Sequence, residues 1–132
     1  MKKLYTGITK DSWEKIWKEK KLINKLTNMT DDLDFALDYS YNFSTGKYED
    51  IAIEISKIPI DAFISFRDID YEDDEDFENL DTFSEDEKIK KINENSLFLI
   101  DLFKYKDVIE VKLIDKNNLC QKVNKIKRNK LR

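Results

Sequence analysis

The chain has 132 residues, of which 40% are hydrophobic and 39% are charged, and its formal net charge at pH 7 is −4. Because it contains no histidine and a single cysteine, Cys120, histidine-based catalysis and an internal disulfide are excluded, and no metal site is expected. No apolar run is long enough to cross a bilayer and no signal peptide follows Met1, so we expect one cytoplasmic domain at residues 1–114 and a basic tail at residues 115–132.

The N-terminal third of the chain predicts a strand followed by two helices. The run KLYTGI is typical of a short strand, and Thr9 can cap the helix that comes after it. The apolar residues of this first helix recur at helical spacing, and they are Trp13, Ile16, Trp17, Ile23 and Leu26. A second helix is predicted to begin at Thr30, and its buried stripe consists of Leu33, Ala36, Leu37 and Ser40.

The remainder of the chain predicts mainly strands. IAIEI and AFISF follow the alternation of strands on either side of Pro59, and SLFLIDLF is typical of a central strand. Ser84 and Glu87 form a capping box, which predicts a short helix that buries Ile89 and Ile92. The run VIEVKLI predicts a last strand, joined to SLFLIDLF by the hairpin loop KYKD. Helices early and strands late indicate an α+β fold.

Four stretches of the chain carry a family resemblance when they are taken in order. LYTGITKDSWEKIWKEKKL and TDDLDFALDYSYNF come first, and IAIEISKIPIDAFISF and SLFLIDLFKYKDVIEVKLI follow. Their order resembles that of the ADP-ribosyltransferase superfamily, in which a first strand and helix are followed by a T-D-x-x-x-A-x-x-Y-A helix and a group of strands. The likeness covers most of residues 4–114. It implies a compact ADP-ribosyltransferase-like domain with N-terminal helices, a mixed or antiparallel sheet and an acidic insertion at residues 67–87.

The resemblance implies NAD as the cofactor and mono-ADP-ribosylation of a host protein, as in small toxins and phage effectors. Thr6 and Gly7 fall on the first motif, which holds the nucleotide, and Tyr39 falls on a family tyrosine. The family's catalytic glutamate, which stabilises an oxocarbenium-like transition state, would directly precede the L-F-L-I run. This chain has Ser96 there, which cannot supply negative charge, so the nearest carboxylate, Glu94, is the catalytic candidate together with Tyr39.

Residues 67–87 form a dense acidic segment that holds twelve of the 28 acidic residues and one of the 24 basic residues. Such runs are usually solvated loops, and this one lacks the glycine and the ligand spacing of an EF-hand calcium site. Alternatively, the segment imitates a nucleic-acid backbone, which basic proteins are built to receive. The residues that would then contact a partner are Asp70, Glu72, Asp73, Asp74, Glu75, Asp76 and Phe77.

The sequence therefore leaves two functions open. The first is an NAD-dependent ADP-ribosyltransferase, which would act in the host cytoplasm if the protein is phage-encoded. The second is a non-catalytic acidic inhibitor that binds a protein partner with a basic surface, as anti-defence proteins of mobile elements such as anti-CRISPRs do. The acidic face is not expected to bind nucleic acid directly. The basic tail is expected to neutralise the acidic segment. Membrane binding is not expected of it, because it has no aromatic residues and few large apolar ones.

Overall fold

The strands and helices of the protein are given by a computed structural model, which describes residues 2–18, 26–67 and 78–116. The strands are β1 (Leu4–Ile8), β2 (Leu26–Thr30), β3 (Tyr41–Asn42), β4 (Lys47–Tyr48), β5 (Ile51–Ser56), β6 (Phe63–Arg67), β7 (Glu78–Asn79), β8 (Leu97–Asp101) and β9 (Glu110–Asp115). The helices are α1 (Lys10–Ser12), α2 (Leu33–Leu37) and α3 (Glu85–Glu94), with a π-helical turn at Trp13–Trp17 and 3-10 turns at Ile60–Ala62 and Leu80–Thr82. These elements confirm the predicted α+β class.

Within these ranges, seven strands form one antiparallel sheet in the order β7-β6-β8-β2-β1-β5-β9, and β3 and β4 form a separate hairpin. β1 pairs with β5 along its whole length, from Leu4 opposite Ile55 to Ile8 opposite Ile51. β2 pairs equally fully with β8. β1 and β2, however, are paired at a single position, where Tyr5 lies opposite Thr30. The sheet is thus two well-paired halves that meet at this narrow junction.

One face of the sheet carries the hydrophobic core, because side chains alternate between the two faces of a strand. On β5 the core face presents Ile51, Ile53 and Ile55, all buried, and on β8 it presents Phe98 and Ile100. These side chains belong to one cluster with buried residues of the helical segments, and those residues are Trp17, Ala62, Leu80 and Ile92. The alternation that predicted the strand IAIEI is confirmed.

The opposite face of the sheet receives α2, and Gly7 sets how closely the helix approaches. A Cβ atom built on Gly7 would lie 1.9 Å from the carbonyl oxygen of Ala36 and 3.0 Å from the backbone nitrogen of Ser40. Only glycine leaves room for such a contact between strand and helix backbones. The short α2 therefore sits directly on β1.

The prediction for residues 26–30 was wrong. We expected Leu26 to end the first helix and Thr30 to begin the second, but the run LTNMT is the strand β2. α2 starts later, where Asp32 is its cap and accepts a hydrogen bond from the backbone N–H of Phe35 at 3.1 Å. The polar run has a weak strand pattern, and its full pairing with β8 supplies the stabilisation that local propensity does not. The prediction for Ile23 lies outside the described residues.

The hairpin predicted between the last two strands was also wrong. β8 pairs with β2 and β6, whereas β9 pairs with β5 on the far side of the sheet. The connecting residues 102–109 cross between them and are anchored by Leu102 and Ile109, both buried. A short connection therefore did not mean adjacent strands, because each of the two strands pairs with other strands in the sheet.

The predicted start of α3 and its N-cap are confirmed, since the Ser84 hydroxyl accepts a hydrogen bond from the backbone N–H of Glu87 at 3.3 Å. Ile92 is buried as predicted, but Ile89 is exposed. No helix among the residues that the structure describes combines the length and apolar character needed to cross a membrane.

Candidate functional site

A groove opens where β1 and β2 separate. Beyond Tyr5 and Thr30, the residues that would continue the ladder are 6–7 on β1 and 28–29 on β2, and these line a cavity of about 470 Å³. The remaining lining residues are Tyr5, Thr27, Thr30, Phe35, Ala36, Tyr39, Arg67 and Leu97. The groove is therefore built by β1, β2 and α2, with one residue each from the ends of β6 and β8.

The groove lining combines aromatic, hydroxyl, amide and cationic groups. Phe35 and Tyr39 stand one helical turn apart with ring centroids at 5.5 Å, and Tyr39 is 66% exposed. Asn28 contributes an amide and Arg67 a guanidinium. Within the described part of the chain, no carboxylate lines this groove. Such a lining suits a ligand with a flat ring system, hydroxyl groups and negative charge.

A network around Lys2 holds the β2–α2 corner against the beginning of β8. The Lys2 ammonium donates to the Asp31 carboxylate at 2.7 Å and to the Asn95 carbonyl oxygen at 2.9 Å. The backbone N–H of Asp31 donates to the Ser96 carbonyl oxygen at 3.1 Å. These bonds fix Leu97, the next residue along the chain, at the edge of the groove.

Tyr5 connects the groove to a charged pair on the neighbouring strand. The register places Tyr5 opposite Glu54, whose carboxylate lies 3.5 Å from the Lys3 ammonium. Burial raises the pKa of Tyr5 above 10.0, and the negative charge and hydrogen bonding of Glu54 raise it further. The phenol is thus held as a protonated hydrogen-bond donor on the groove wall.

The structure brings three of the candidate residues from the sequence together. Thr6, Gly7 and Tyr39, which the resemblance assigned to NAD, all line this groove. The three residues surround one cavity in the structure whether or not the chain is related to that family. Their role in binding stays a prediction.

Glu94 is not among the groove-lining residues. Its catalytic role requires Glu94 to lie on an extended strand, two residues before Ser96 and on the same face. The structure does not meet this condition, because α3 continues through Glu94 and Asn95 is its C-cap. Glu94 is exposed at this helix end, and its predicted catalytic role is unsupported by position.

The acidic segment is described in part. The seven residues predicted to contact a partner, which are residues 70 and 72–77, lie outside the described residues, as does the basic tail from residue 117. At the end of the segment, Leu80 is buried and Phe83 packs against Phe66 with ring centroids at 6.2 Å. These two side chains therefore anchor the segment to its own core.

Several groove residues were missed at the sequence level. Asn28 lies in the strand that was taken for the junction of two helices, and Phe35 was placed on a face adjoining the buried stripe. Arg67 is the single basic residue of the acidic segment, which was a usable signal. Because Arg67 directly follows AFISF, the sequence would have placed it at the end of a strand of the sheet, and the structure places it there, as the last residue of β6.

In the three described ranges, no group of three histidine, cysteine, aspartate or glutamate side chains is placed to hold a metal ion. Comparison with protein-family models, curated proteins and solved structures found no match to this chain. The site is therefore interpreted from its own geometry.

Proposed function

We propose that the protein is ADP-ribosyltransferase-like and that its groove binds NAD. The observation that carries the proposal is the separation of β1 from β2 after Tyr5, because it exposes Thr6 and Gly7 to the cavity that Tyr39 also lines. In the resemblance, Thr6 stands where the family has His or Arg, Gly7 matches the residue that follows, and Tyr39 falls on a family tyrosine. A second support is size, since about 470 Å³ lies within the usual range for small-molecule sites.

Each part of NAD has a chemical counterpart in the groove. The Phe35 and Tyr39 rings offer an aromatic wall for stacking a base or the nicotinamide ring. The amide of Asn28 and the hydroxyl of Thr6 can hydrogen-bond ribose hydroxyls. The planar guanidinium of Arg67 suits phosphate oxygens. Backbone groups along the open edges of β1 and β2 add donors and acceptors where the ladder stops.

Transfer of ADP-ribose would require, in addition, a negative charge close to the ribose as positive charge develops. Glu94 remains the candidate from the sequence. It lies at the exposed end of α3 and not in the groove, so NAD binding and ADP-ribose transfer are tested separately. The alternative function, an acidic inhibitor of a basic partner, rests on residues outside the described part of the chain and stays a prediction.

The binding proposal is tested by titrating NAD into wild-type protein and into Tyr39→Ala by isothermal calorimetry. We expect the variant to bind about tenfold more weakly, since loss of one aromatic stacking partner typically costs about 1–3 kcal/mol. Because Tyr39 is 66% exposed, its truncation should leave the fold intact, which circular dichroism checks.

Two control variants sharpen this test. Tyr48→Ala removes another exposed tyrosine, 58% exposed and outside the groove lining, and should bind NAD like wild type. Glu94→Gln should also bind normally, and nicotinamide release that is lost in this variant alone would assign Glu94 to transfer. Equal affinities for wild type and Tyr39→Ala, or no binding by wild type, would refute the proposed function.

A further inference from the structure

The hairpin of β3 and β4 and the residues just before it carry several exposed aromatic rings. Phe43 is 91% exposed, and Tyr48 and Tyr39, which lies two residues before β3, are also mainly in solvent. Tyr41 supports both hairpin rings edge-on, with centroids 5.0 Å from Phe43 and 5.0 Å from Tyr48. Single exposed aromatics are ordinary, but several close together in the chain are typical of an interaction surface.

The turn that presents Phe43 is ordered by its own hydrogen bonds. The Asn42 side-chain oxygen accepts from the Ser44 N–H at 2.9 Å, and the Asn42 carbonyl accepts from the Gly46 N–H at 2.8 Å. Gly46 has a φ of +69°, which closes the turn. The Asn42 amide also donates to Glu49 at 2.9 Å and so ties the turn to the hairpin's base. A ring held in solvent by a preformed turn loses little entropy on binding.

The stretch of chain that carries these rings is acidic. Between Asp31 and Asp50 it has six carboxylates and one cation, Lys47, and of these acids Asp32, Asp34 and Asp38 are exposed. Asp32 caps α2 and Asp34 lies 3.9 Å from the Lys116 ammonium. The loop between β8 and β9 differs, because there the Lys106 ammonium lies 5.1 Å from the centroid of the Phe103 ring. Exposed rings among carboxylates attract external cations by both charge and the negative face of the ring, and they repel phosphates.

We propose that the hairpin surface, formed by Tyr39, Phe43 and Tyr48 with the carboxylate of Asp38, binds a cationic peptide segment of a partner protein. Arginine suits it best, since a guanidinium can stack on a tyrosine ring and pair with a carboxylate together. Apolar side chains of the same segment contact Phe43. A second copy of this chain fits poorly as the occupant, because the net charge of each copy is −4. The surface shares Tyr39 with the groove, whereas Phe43 does not line the groove and so tests the peptide proposal separately.

The probe for this proposal is a random peptide library displayed on phage, selected on the wild-type protein with Phe43→Ser as the counter-selection target. We expect the enriched peptides to combine arginine with large apolar residues. Measured by fluorescence anisotropy, a synthetic copy should bind Phe43→Ser at least about tenfold more weakly than wild type, as anchor residues do. Lys47→Glu, which removes the cation of the hairpin, should bind it more tightly.

Phe103→Ser is the matched control, since Phe103 is also an exposed phenylalanine on a loop, and it should bind like wild type. Enrichment of acidic peptides, no enrichment over Phe43→Ser, or equal affinity of the two phenylalanine variants would overturn the proposal. So would self-association in sedimentation velocity that Phe43→Ser abolishes, because the occupant would then be a second copy.

Discussion

The absence of a side chain at Gly7 allows α2 to pack closely against β1. Its Cβ position is filled by the Ala36 carbonyl at 1.9 Å, so Gly7→Ala must push α2 away from β1. We expect a loss of about 1–3 kcal/mol or more in the free energy of unfolding, measured by urea denaturation, as in other overpacked contacts.

Gly46→Ala is the matched control for that prediction. Its Cβ would have only the Tyr41 hydroxyl nearby, at 3.7 Å, so the cost comes from its positive φ and should be about 1 kcal/mol. If Gly7→Ala were no more destabilising than Gly46→Ala, the close seating of α2 on β1 would be contradicted.

Tyr5 gives a prediction for pH dependence. Its pKa in the folded state is raised above 10.0 by burial and by Glu54, so the folded protein holds this proton more tightly than the unfolded chain. The resulting stabilisation is complete below pH 10.0 and is lost as the pH rises through the folded-state pKa. We therefore expect wild type to lose stability above pH 10.0 more steeply than Tyr5→Phe in urea denaturation.

Tyr48→Phe serves as the comparison, because it removes the same hydroxyl from an exposed ring. Its pH profile should parallel that of wild type. Identical slopes for wild type and Tyr5→Phe would show that the Tyr5 phenol titrates alike in the folded and unfolded chains.

Among the elements, α3 offers the clearest local prediction. Its first turn depends on the Ser84 hydroxyl, which accepts the Glu87 N–H. Ser84→Ala should lower the free energy of unfolding by about 1 kcal/mol, the usual effect of losing an N-cap, in thermal or urea denaturation. Ser44→Ala is the control, since Ser44 bonds to Asn42 through its backbone N–H. Equal stability of the two variants would contradict the capping role.

The elements also show what the sequence could and could not predict. β1, β5 and α3 were found because alternation and a capping box are local signals. β2 was missed because LTNMT has few strand-forming apolar residues and depends on β8 for its pairing. The false hairpin between β8 and β9 has the same origin, since strand partners are chosen by tertiary packing across the sheet.

The candidate site was partly predictable for a related reason. Thr6, Gly7 and Tyr39 were identified through the order of motifs, and the structure places them in one groove. The contribution of Asn28 could not be predicted without β2. Glu94 was misplaced because the sequence does not mark where α3 ends and β8 begins; the helix runs through Glu94, and the strand begins at Leu97.

On the scale of the whole molecule, the two halves of the sheet meet at one register position and leave a groove beside it. The groove and the aromatic hairpin share Tyr39, which follows α2 and precedes β3. Since the NAD proposal depends on the groove and the peptide proposal on Phe43, the two can be tested separately in one protein.

The most direct measurement is an NMR titration of isotope-labelled protein with NAD. We predict saturable amide shift changes at residues 5–7 of β1 and 28–30 of β2 and around Tyr39, with Phe43 and Phe103 unaffected. The absence of shift changes at millimolar NAD, or changes confined to residues away from the junction of β1 and β2, would contradict the account.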